Sequence, residues 1–342
     1  MRGRFAVVRT SLGFGVLFVS SLVLFACGSS STRDGFDDGT GPGSGTGIGG
    51  DGDAENNGSL GNNPPPTQPP PVEECQKMDI VFVVDDSGSM KEEQQNLAAN
   101  FPKFVAKIDS FKTKSGSKLD WRLAVTTTAR NLTYNIQLPI GGALPMSEKG
   151  DDGAFRMPSE CGTKRRWVEK SDPTASSDFQ CLAQAGTGGS SIEMPLYATK
   201  LALNDRVADG TNKGFLRDDA LLAIIVLTDE DDCSREDNNF TIQNDVCSTM
   251  QGVKPVAEYK QMLDTVAKGA GRWATAVIAG PTACESGFGK AVEAKRLKEF
   301  VGLAGKNGTF SSICDGDLSG ALEKALDTFD AACKTLPPSS VK

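Results

Sequence analysis

The chain has 342 residues, a net charge of −8 and a pI near 4.9, and it contains nine cysteines but no histidine. The acidic balance argues against a nucleic-acid partner, because phosphate backbones are bound by clustered Lys and Arg. The missing histidine excludes Ser-His-Asp triads, Cys-His pairs and zinc sites with His ligands, so any chemistry must use carboxylates, hydroxyls, thiols, amines or a metal.

The N-terminus is typical of an export signal. Arg2, Arg4 and Arg9 form a positive start, and the mostly apolar stretch at 11–25 follows. This stretch has the length of a signal-peptide core and is too short for a membrane span. We predict that residues 1–26 are a signal peptide; a short uncleaved anchor is the alternative.

The end of this segment resembles the bacterial lipobox. The residues are Leu24-Phe25-Ala26-Cys27, in which Phe25 is the less usual choice. The resemblance implies cleavage before Cys27 and acyl chains attached to it, and several chains anchor a protein stably where one does not. Gly28 stands where the inner-membrane retention signal has Asp, which favours the outer membrane or the cell surface.

Residues 27–74 are predicted to be a lipidated, disordered tether. The segment is rich in Gly, Ser, Asp and Asn and then in Pro, with two Pro triplets at 64–66 and 69–71. Such a composition buries too little apolar surface to fold, and its Pro part forms a stiffer spacer than its Gly part. A disordered tail without any role is the alternative.

The eight cysteines after Cys27 predict disulfides, because the number is even and the chain is expected to be exported. Many pairings are possible, and we favour pairing between neighbours, with one further bond that joins the two ends of the folded domain. No C-x-x-C spacing supports the alternative of a cysteine-rich metal site. The hypothetical pairs are Cys161–Cys181, Cys233–Cys247, Cys284–Cys314 and Cys75–Cys333.

Residues 75–335 alternate between strand-like apolar runs and helix-like spacing. The strand patterns lie at 80–84, 121–127, 221–227, 273–279 and 309–313. The alternation predicts an α/β fold, with a doubly wound, mainly parallel sheet that has helices on both faces. Residues 129–186 fit poorly. We expect an insertion there, beside the binding edge, with one weak strand near 166–168, and a short tail at 336–342.

Carboxylates and hydroxyls follow two of the predicted strands. Asp85, Ser87 and Ser89 come after the first strand, and Asp229 comes after the strand at 221–227. Ligands of such sheets bind at the carboxyl ends of strands where the winding direction reverses. If the two strands are neighbours, these side chains converge, and a set made only of oxygens suits a hard divalent cation.

The pattern Asp85-x-Ser87-x-Ser89 after an apolar strand resembles the metal-ion-dependent adhesion site of von Willebrand factor type A (VWA) domains. The resemblance covers about 76–335, apart from 129–186. It implies a bound Mg²⁺ (or Ca²⁺ or Mn²⁺), a second-loop Thr and a third-loop Asp, which Asp229 matches. The second-loop residue is Thr187 or Ser190, and the sequence leaves both open.

These observations predict a cell-envelope lipoprotein that is not an enzyme. Its VWA domain would bind a protein ligand through a divalent metal that is completed by the partner's Asp or Glu. One alternative is a structural protein of an envelope assembly in which the metal only stabilises the fold. Another is a phosphohydrolase similar to haloacid dehalogenases, with Asp85 or Asp86 as its nucleophile. That family needs a second Asp two residues later, where this chain has Ser87 or Gly88.

Two simpler interpretations of the acidic stretches remain. In the first, Asp86, Ser87 and Ser89 only cap the helix that follows them. The second concerns an acidic run after the 221–227 strand, for which a solvated loop is favoured over a second ion site. That run comprises Asp231, Asp232, Glu236 and Asp237.

Overall fold

The computed structural model describes residues 75–113, 115–242, 247, 251–287 and 289–339. The predicted signal peptide, Cys27 and the tether lie outside these residues. No helix in the described part of the chain is long and apolar enough to cross a membrane.

The strands of the described residues belong to three sheets, and the largest one positions the site discussed below. In chain order they are β1 (Lys77–Val84), β2 (Asp120–Thr127), β3 (Leu132–Gln137), β4 (Ala143–Glu148), β5 (Val168–Glu169), β6 (Leu221–Leu227), β7 (Phe240–Ile242), β8 (Trp273–Ala279), β9 (Cys284–Ser286), β10 (Gly289–Ala291) and β11 (Gly308–Ser312).

The largest sheet has six strands in the order β11-β8-β6-β1-β2-β5. Neighbouring strands in it are parallel, except that β5 runs antiparallel to β2. From β1 the chain continues to β2 on one side, whereas β6 lies on the other side of β1. The winding direction therefore reverses between β1 and β6, as a doubly wound sheet requires.

Helices cover both faces of this sheet, as predicted. Alternate residues of β1 point to opposite faces, so that Phe82 belongs to one apolar core and Val83 to the other. The first core is closed by α1, α2 and α7, and the second by α3, α5 and α6. The helices are α1 (Lys91–Ser110), α2 (Ala175–Ala183), α3 (Pro195–Lys200), α4 (Arg206–Ala208), α5 (Val256–Val266), α6 (Lys295–Ala304) and α7 (Ser319–Lys334).

An aromatic cluster fixes the helix that follows β1. The ring of Phe82 packs edge-on against Phe101 and Phe104 of α1, with centroid distances of 5.6 and 5.2 Å, and against Phe179 of α2 at 5.0 Å. Edge-to-face pairs of this kind add to the free energy of burying the rings. α1, which follows the Asp85 loop, is thereby held against the face of the sheet at β1.

The segment 129–186 contains more regular structure than we predicted. The expected weak strand near 166–168 corresponds to β5, but β3 and β4 also form an antiparallel hairpin, and β7 pairs in parallel with β3. This three-stranded second sheet was missed because β3 and β4 mix polar and apolar residues, include Pro145 and are only partly buried. Its third strand lies far downstream in the sequence.

Four disulfides join the described cysteines, and they are the four pairs hypothesised from the sequence. The bond between Cys75 and Cys333 links the start of β1 to the end of α7, across a separation of 258 residues. The others close loops within the domain: Cys161–Cys181, Cys233–Cys247 and Cys284–Cys314.

Candidate metal centre

The two acidic loops predicted from the sequence meet at the point where the sheet reverses its winding. Val84, the last residue of β1, lies opposite Leu227, the last residue of β6. The next amide continues this pairing, since Asp85 N donates to Leu227 O at 2.9 Å. The loops that follow the two strands consequently leave the sheet side by side, at the edge where ligands of doubly wound sheets bind.

Asp85 lies at the bottom of this crevice and is held in one orientation. Its side chain has no solvent exposure. Oδ1 accepts a hydrogen bond from Ser87 N at 2.8 Å, and Oδ2 accepts one from the Thr228 hydroxyl at 2.6 Å. Burial raises the pKa of the Asp85 carboxyl, and these hydrogen bonds oppose the rise.

Ser87, Ser89 and Asp229 surround the Asp85 carboxyl. The hydroxyls of Ser87 and Ser89 lie 3.0 Å apart. The Asp229 side chain interacts with both Ser89 and Asp85, and its buried Oδ1 receives no hydrogen bond from any described residue. Burial, and then the negative charge of Asp85, raise the pKa of Asp229 to about 6. The structure thus brings together these four residues, which the sequence pattern placed in two distant loops.

The second loop is fastened to the first by hydrogen bonds at both of its ends. The side chain of Gln94, on α1, bridges the two loops: it donates to Asp85 O at 2.7 Å and to Gly186 O at 2.6 Å. Farther along, Gly189 N donates to Asp86 O at 2.7 Å. The residues between Gly186 and Gly189 therefore lie next to the Asp85 loop.

The two second-loop candidates have different surroundings. Thr187 lies between the fastened ends of the loop, and its side chain is exposed. Ser190 is buried, and its hydroxyl donates to a carboxylate oxygen of Glu148, which lies at the end of β4. Ser190 is therefore engaged with the second sheet.

Several buried carboxylates crowd this edge with oxygens left unpaired. Asp86, Glu93, Glu193 and Asp229 each have one buried oxygen that lacks a hydrogen-bond partner in the described part of the chain. Burial is the main cause that raises the pKa of Asp86 to about 7 and that of Glu93 to about 7. Burying negative charges together is costly unless a cation or hydrogen-bond donors compensate them.

This arrangement fits a hard divalent cation, because the unpaired atoms are oxygens and the local charge is negative. Within the described ranges, no three side chains of Asp, Glu or Cys can hold a metal ion by themselves. The serine hydroxyls or water would therefore have to provide further ligands. Asp85, Ser87, Ser89 and Asp229 are the residues placed to hold such an ion.

The helix-capping interpretation of the first loop is not supported. Ser87 occupies the N-cap of the short 3-10 turn at Gly88–Met90, and Met90 occupies that of α1, but neither side chain makes a capping hydrogen bond. The hydroxyls of Ser87 and Ser89 instead face each other beside Asp85.

The acidic run after Asp229 is only in part the solvated loop that we expected: Glu236 and Asp237 are exposed, but the first two acidic residues of the run are not. Asp231 and Asp232 are buried. The Asp231 carboxylate accepts the backbone N–H of Arg296 at the start of α6, at 3.0 Å, and Asp232 accepts that of Leu196 at the start of α3, also at 3.0 Å. Asp232 also forms an ion pair with the Arg296 guanidinium. These two carboxylates therefore accept hydrogen bonds from the free N–H groups at the starts of α6 and α3. A run of acidic residues in a sequence does not predict this role.

A pocket that the sequence did not predict opens beside the candidate ligands. It has a volume of about 520 Å³, and its lining includes Ser89, Asp229, Ala291 and Val292. The β9–β10 hairpin forms one wall, and the backbone of Val292 donates to Asp229 O at 2.9 Å. A group that approaches Ser89 and Asp229 from solvent would contact this partly apolar wall.

No protein-family model matches the chain, and no curated protein matches it. Among solved structures it is similar to proximal thread matrix protein 1 from the mussel byssus, with 13% identity, a TM-score of 0.41 and coverage of 75% of this chain and 48% of that one. A form of that protein described as having a zinc-occupied MIDAS motif matches with 14% identity, a TM-score of 0.37 and coverage of 76% and 46%.

The pilus adhesin SpaC from Lactobacillus rhamnosus GG, in its open conformation, matches with 10% identity, a TM-score of 0.41 and coverage of 77% of this chain and 31% of that one. The chain spans about half, or less, of the length of these structures. At these identities and TM-scores, the likenesses say nothing about the function of this chain.

Proposed function

We propose that this domain binds a divalent cation through Asp85, Ser87, Ser89 and Asp229 and uses that ion to bind a protein partner. The observation that carries the proposal is the convergence of these side chains at the reversal point of the sheet, with Asp229 Oδ1 buried and unpaired. A buried carboxylate oxygen without a donor is costly, and a bound cation removes that cost.

The proposed ligands suit an ion whose coordination shell is completed by a group from another protein. Hydroxyl ligands add no negative charge, so an ion held by two carboxylates and two serines retains an affinity for a further anion. Mg²⁺ prefers an octahedral shell and readily keeps water molecules in it. An Asp or Glu of a partner would replace one of these waters, and the exposed side of Ser89 is where it would approach.

The deep burial of Asp85 and Asp229 favours one alternative, in which the ion only stabilises the domain within an envelope assembly. Both functions predict a higher melting temperature with Mg²⁺, because a ligand that binds the folded state stabilises it. They differ in partner binding, which the alternative does not require. A phosphohydrolase is less well supported, since Ser87 or Gly88 stands where the haloacid dehalogenase pattern needs its second Asp.

The test combines metal and partner binding. Mn²⁺ is titrated calorimetrically into the full chain, into Asp85→Asn, and into Asp327→Asn as a control whose carboxylate is 69% exposed on α7. We expect one ion per chain, at least a tenfold weaker affinity in Asp85→Asn and no change in the control. Equal Mn²⁺ affinity in all three would refute the cation site.

Partner binding is then measured by capture from an envelope extract, with chelator, with Mg²⁺ restored and with Asp85→Asn as bait. We expect a protein that is retained only by the wild-type chain with Mg²⁺. The other outcome is that the ion binds as expected, but every captured protein is retained equally with and without chelator and by both baits. In that case the purely stabilising role is correct.

A further inference from the structure

Glu193, which the sequence pattern did not single out, lies among the loops of the candidate site. Its side chain has no solvent exposure. Its carbonyl oxygen accepts Cys233 N at 2.8 Å, in the loop after β6, and its Oε2 accepts the hydroxyl of Thr128, in the loop after β2. The backbone of Thr128 in turn donates to Val84 O at 3.1 Å, at the end of β1. Glu193 is thereby held between the loops that follow the three central strands.

The second carboxylate oxygen of Glu193 has no partner in the part of the chain that the structure describes. Oε1 is buried there, and no described residue donates a hydrogen bond to it. Within the described residues, no Lys or Arg forms an ion pair with this carboxylate. The charged groups that act on it are carboxylates: after burial itself, Asp85 is the strongest influence, and Glu230 and Asp86 add to it. A buried carboxylate that faces other carboxylates requires a compensating positive charge or donor.

The other second-loop candidates do not compete well for this role. Thr187 is exposed and the hydroxyl of Ser190 donates to Glu148, so neither has a buried oxygen that lacks a partner among the described residues. Glu193 combines full burial, an anchored backbone, such an unpaired oxygen and proximity to Asp85, whose charge acts on it. We infer that Glu193, rather than Thr187 or Ser190, supplies the second-loop oxygen of the cation site, and that it acts through one water, because no three acidic side chains of the described residues can ligate an ion together. This inference rests on the proposed cation site.

The participation of Glu193 would change the net charge around the ion. Beside the ligands Asp85 and Asp229, Glu193 brings a third negative charge close to the divalent ion, where a Thr would add no charge. The ion is then held more tightly, and a partner's carboxylate gains less from it. Contacts in the neighbouring pocket, beside Val292, would accordingly contribute a larger share of the free energy of partner binding.

The test compares Glu193→Gln, Thr187→Val and Ser190→Ala in the full chain, by calorimetric titration with Mn²⁺ alone. Gln retains the shape of the side chain and an oxygen for Thr128, so the variant is expected to fold. Melting curves in chelator verify this, and Glu193→Asp, which keeps the charge on a shorter side chain, serves as a second variant. We expect Glu193→Gln to weaken Mn²⁺ binding at least tenfold and the other two substitutions to change it less than twofold.

The opposite ranking overturns the inference. If Thr187→Val weakens Mn²⁺ binding tenfold while Glu193→Gln leaves it within twofold, Thr187 is the second-loop ligand, and the proposed cation site itself stands. If Asp85→Asn also leaves Mn²⁺ binding unchanged, the cation site fails and this inference fails with it. The two failures are therefore distinguishable in one set of titrations.

Discussion

At the residue scale, the two site loops contact each other at a glycine. A Cβ atom on Gly189 would overlap the carboxyl group of Asp86, whereas one on Gly188 would meet nothing within 4 Å. Gly189→Ala must therefore displace the buried Asp86 carboxyl or push the second loop away from the first. We expect it to lower the free energy of unfolding by about 1–3 kcal/mol, as overpacking typically does, and to weaken Mn²⁺ binding about tenfold.

The matched control for this prediction is Gly188→Ala, one residue earlier in the same loop. It should leave both quantities close to their wild-type values, because the added methyl group has free space. Denaturant unfolding and Mn²⁺ calorimetry of the two variants provide the comparison. Equal behaviour of the two variants would show that the loops are not in contact at Gly189.

The raised pKa values at the site predict opposite effects of pH on stability and on metal binding. Burial raises the pKa of Asp229 to about 6 and that of Asp86 to about 7, from 3.8. The folded, metal-free domain therefore keeps protons that the unfolded chain has already lost. The contribution of these groups to stability is complete below about pH 4 and is lost as the pH rises toward 7.

A divalent cation needs its ligand Asp229 in the ionised form and is attracted further by a negative charge on the neighbouring Asp86, so protons on either carboxyl oppose its binding. Mn²⁺ affinity should accordingly rise at least tenfold between about pH 5.5 and pH 7.5 and then level off. Melting temperatures in chelator and Mn²⁺ titrations over the same buffers measure the two trends. An affinity that does not change over this interval would show that the ion does not displace protons from the site.

The site residues that could be predicted are those that directly follow a recognisable apolar strand in the sequence. Asp85, Ser87 and Ser89 lie within five positions of one another after a buried strand, and Asp229 follows the most apolar strand. Glu193 has no such context, because it precedes the short helix α3 and resembles an ordinary acidic residue near a helix start. Its surroundings arise only when the loops after β2 and β6 fold against it.

At the scale of elements, continuity of the apolar pattern decided what could be predicted. β1 and β6 are buried along nearly their whole length, so the sequence shows an uninterrupted apolar run over all of β6 and over residues 80–84 of β1. The β3–β4 hairpin lacks this signal, because its strands are partly exposed and one of its neighbours, β7, comes about a hundred residues later in the chain. Pairing between distant, half-polar strands leaves little trace in local sequence.

The disulfides close loops of very different lengths. We therefore expect the removal of each one to lower the free energy of unfolding by a different amount. Cys75–Cys333 closes a loop with a separation of 258 residues, and Cys161–Cys181 closes one of 20. In the chain-entropy model, the longer loop restricts the unfolded state more. Replacing both cysteines of the first pair by Ala should cost about 5 kcal/mol, against about 3 kcal/mol for the second pair.

Urea unfolding of the two double variants under non-reducing conditions measures this difference. Each serves as the control for the other, because both lose two cysteines and one bond. If removal of the short-range pair costs more, its bond acts mainly through contacts in the folded state, such as the packing of α2, whose residue Cys181 it holds.

At the scale of the whole molecule, the candidate site and the predicted anchor belong to different parts of the chain. We propose that Cys27 carries acyl chains and that the tether through residue 74 separates the membrane from the domain that begins at Cys75. In this proposal the N-terminal segment provides the membrane attachment and the disulfide-linked domain provides the candidate site.

Replacing Cys27 tests this arrangement without touching the domain. In a bacterial host that acylates lipoproteins, we expect the wild-type chain to incorporate labelled palmitate and to fractionate with membranes, because several acyl chains give stable anchoring. Cys27→Ala should lose the label, whereas Ser29→Ala, two residues later, should keep both properties. A Cys27→Ala chain that is unlabelled yet still sediments with membranes would mean that the apolar stretch at 11–25 remains attached as an uncleaved anchor, the alternative that the sequence left open.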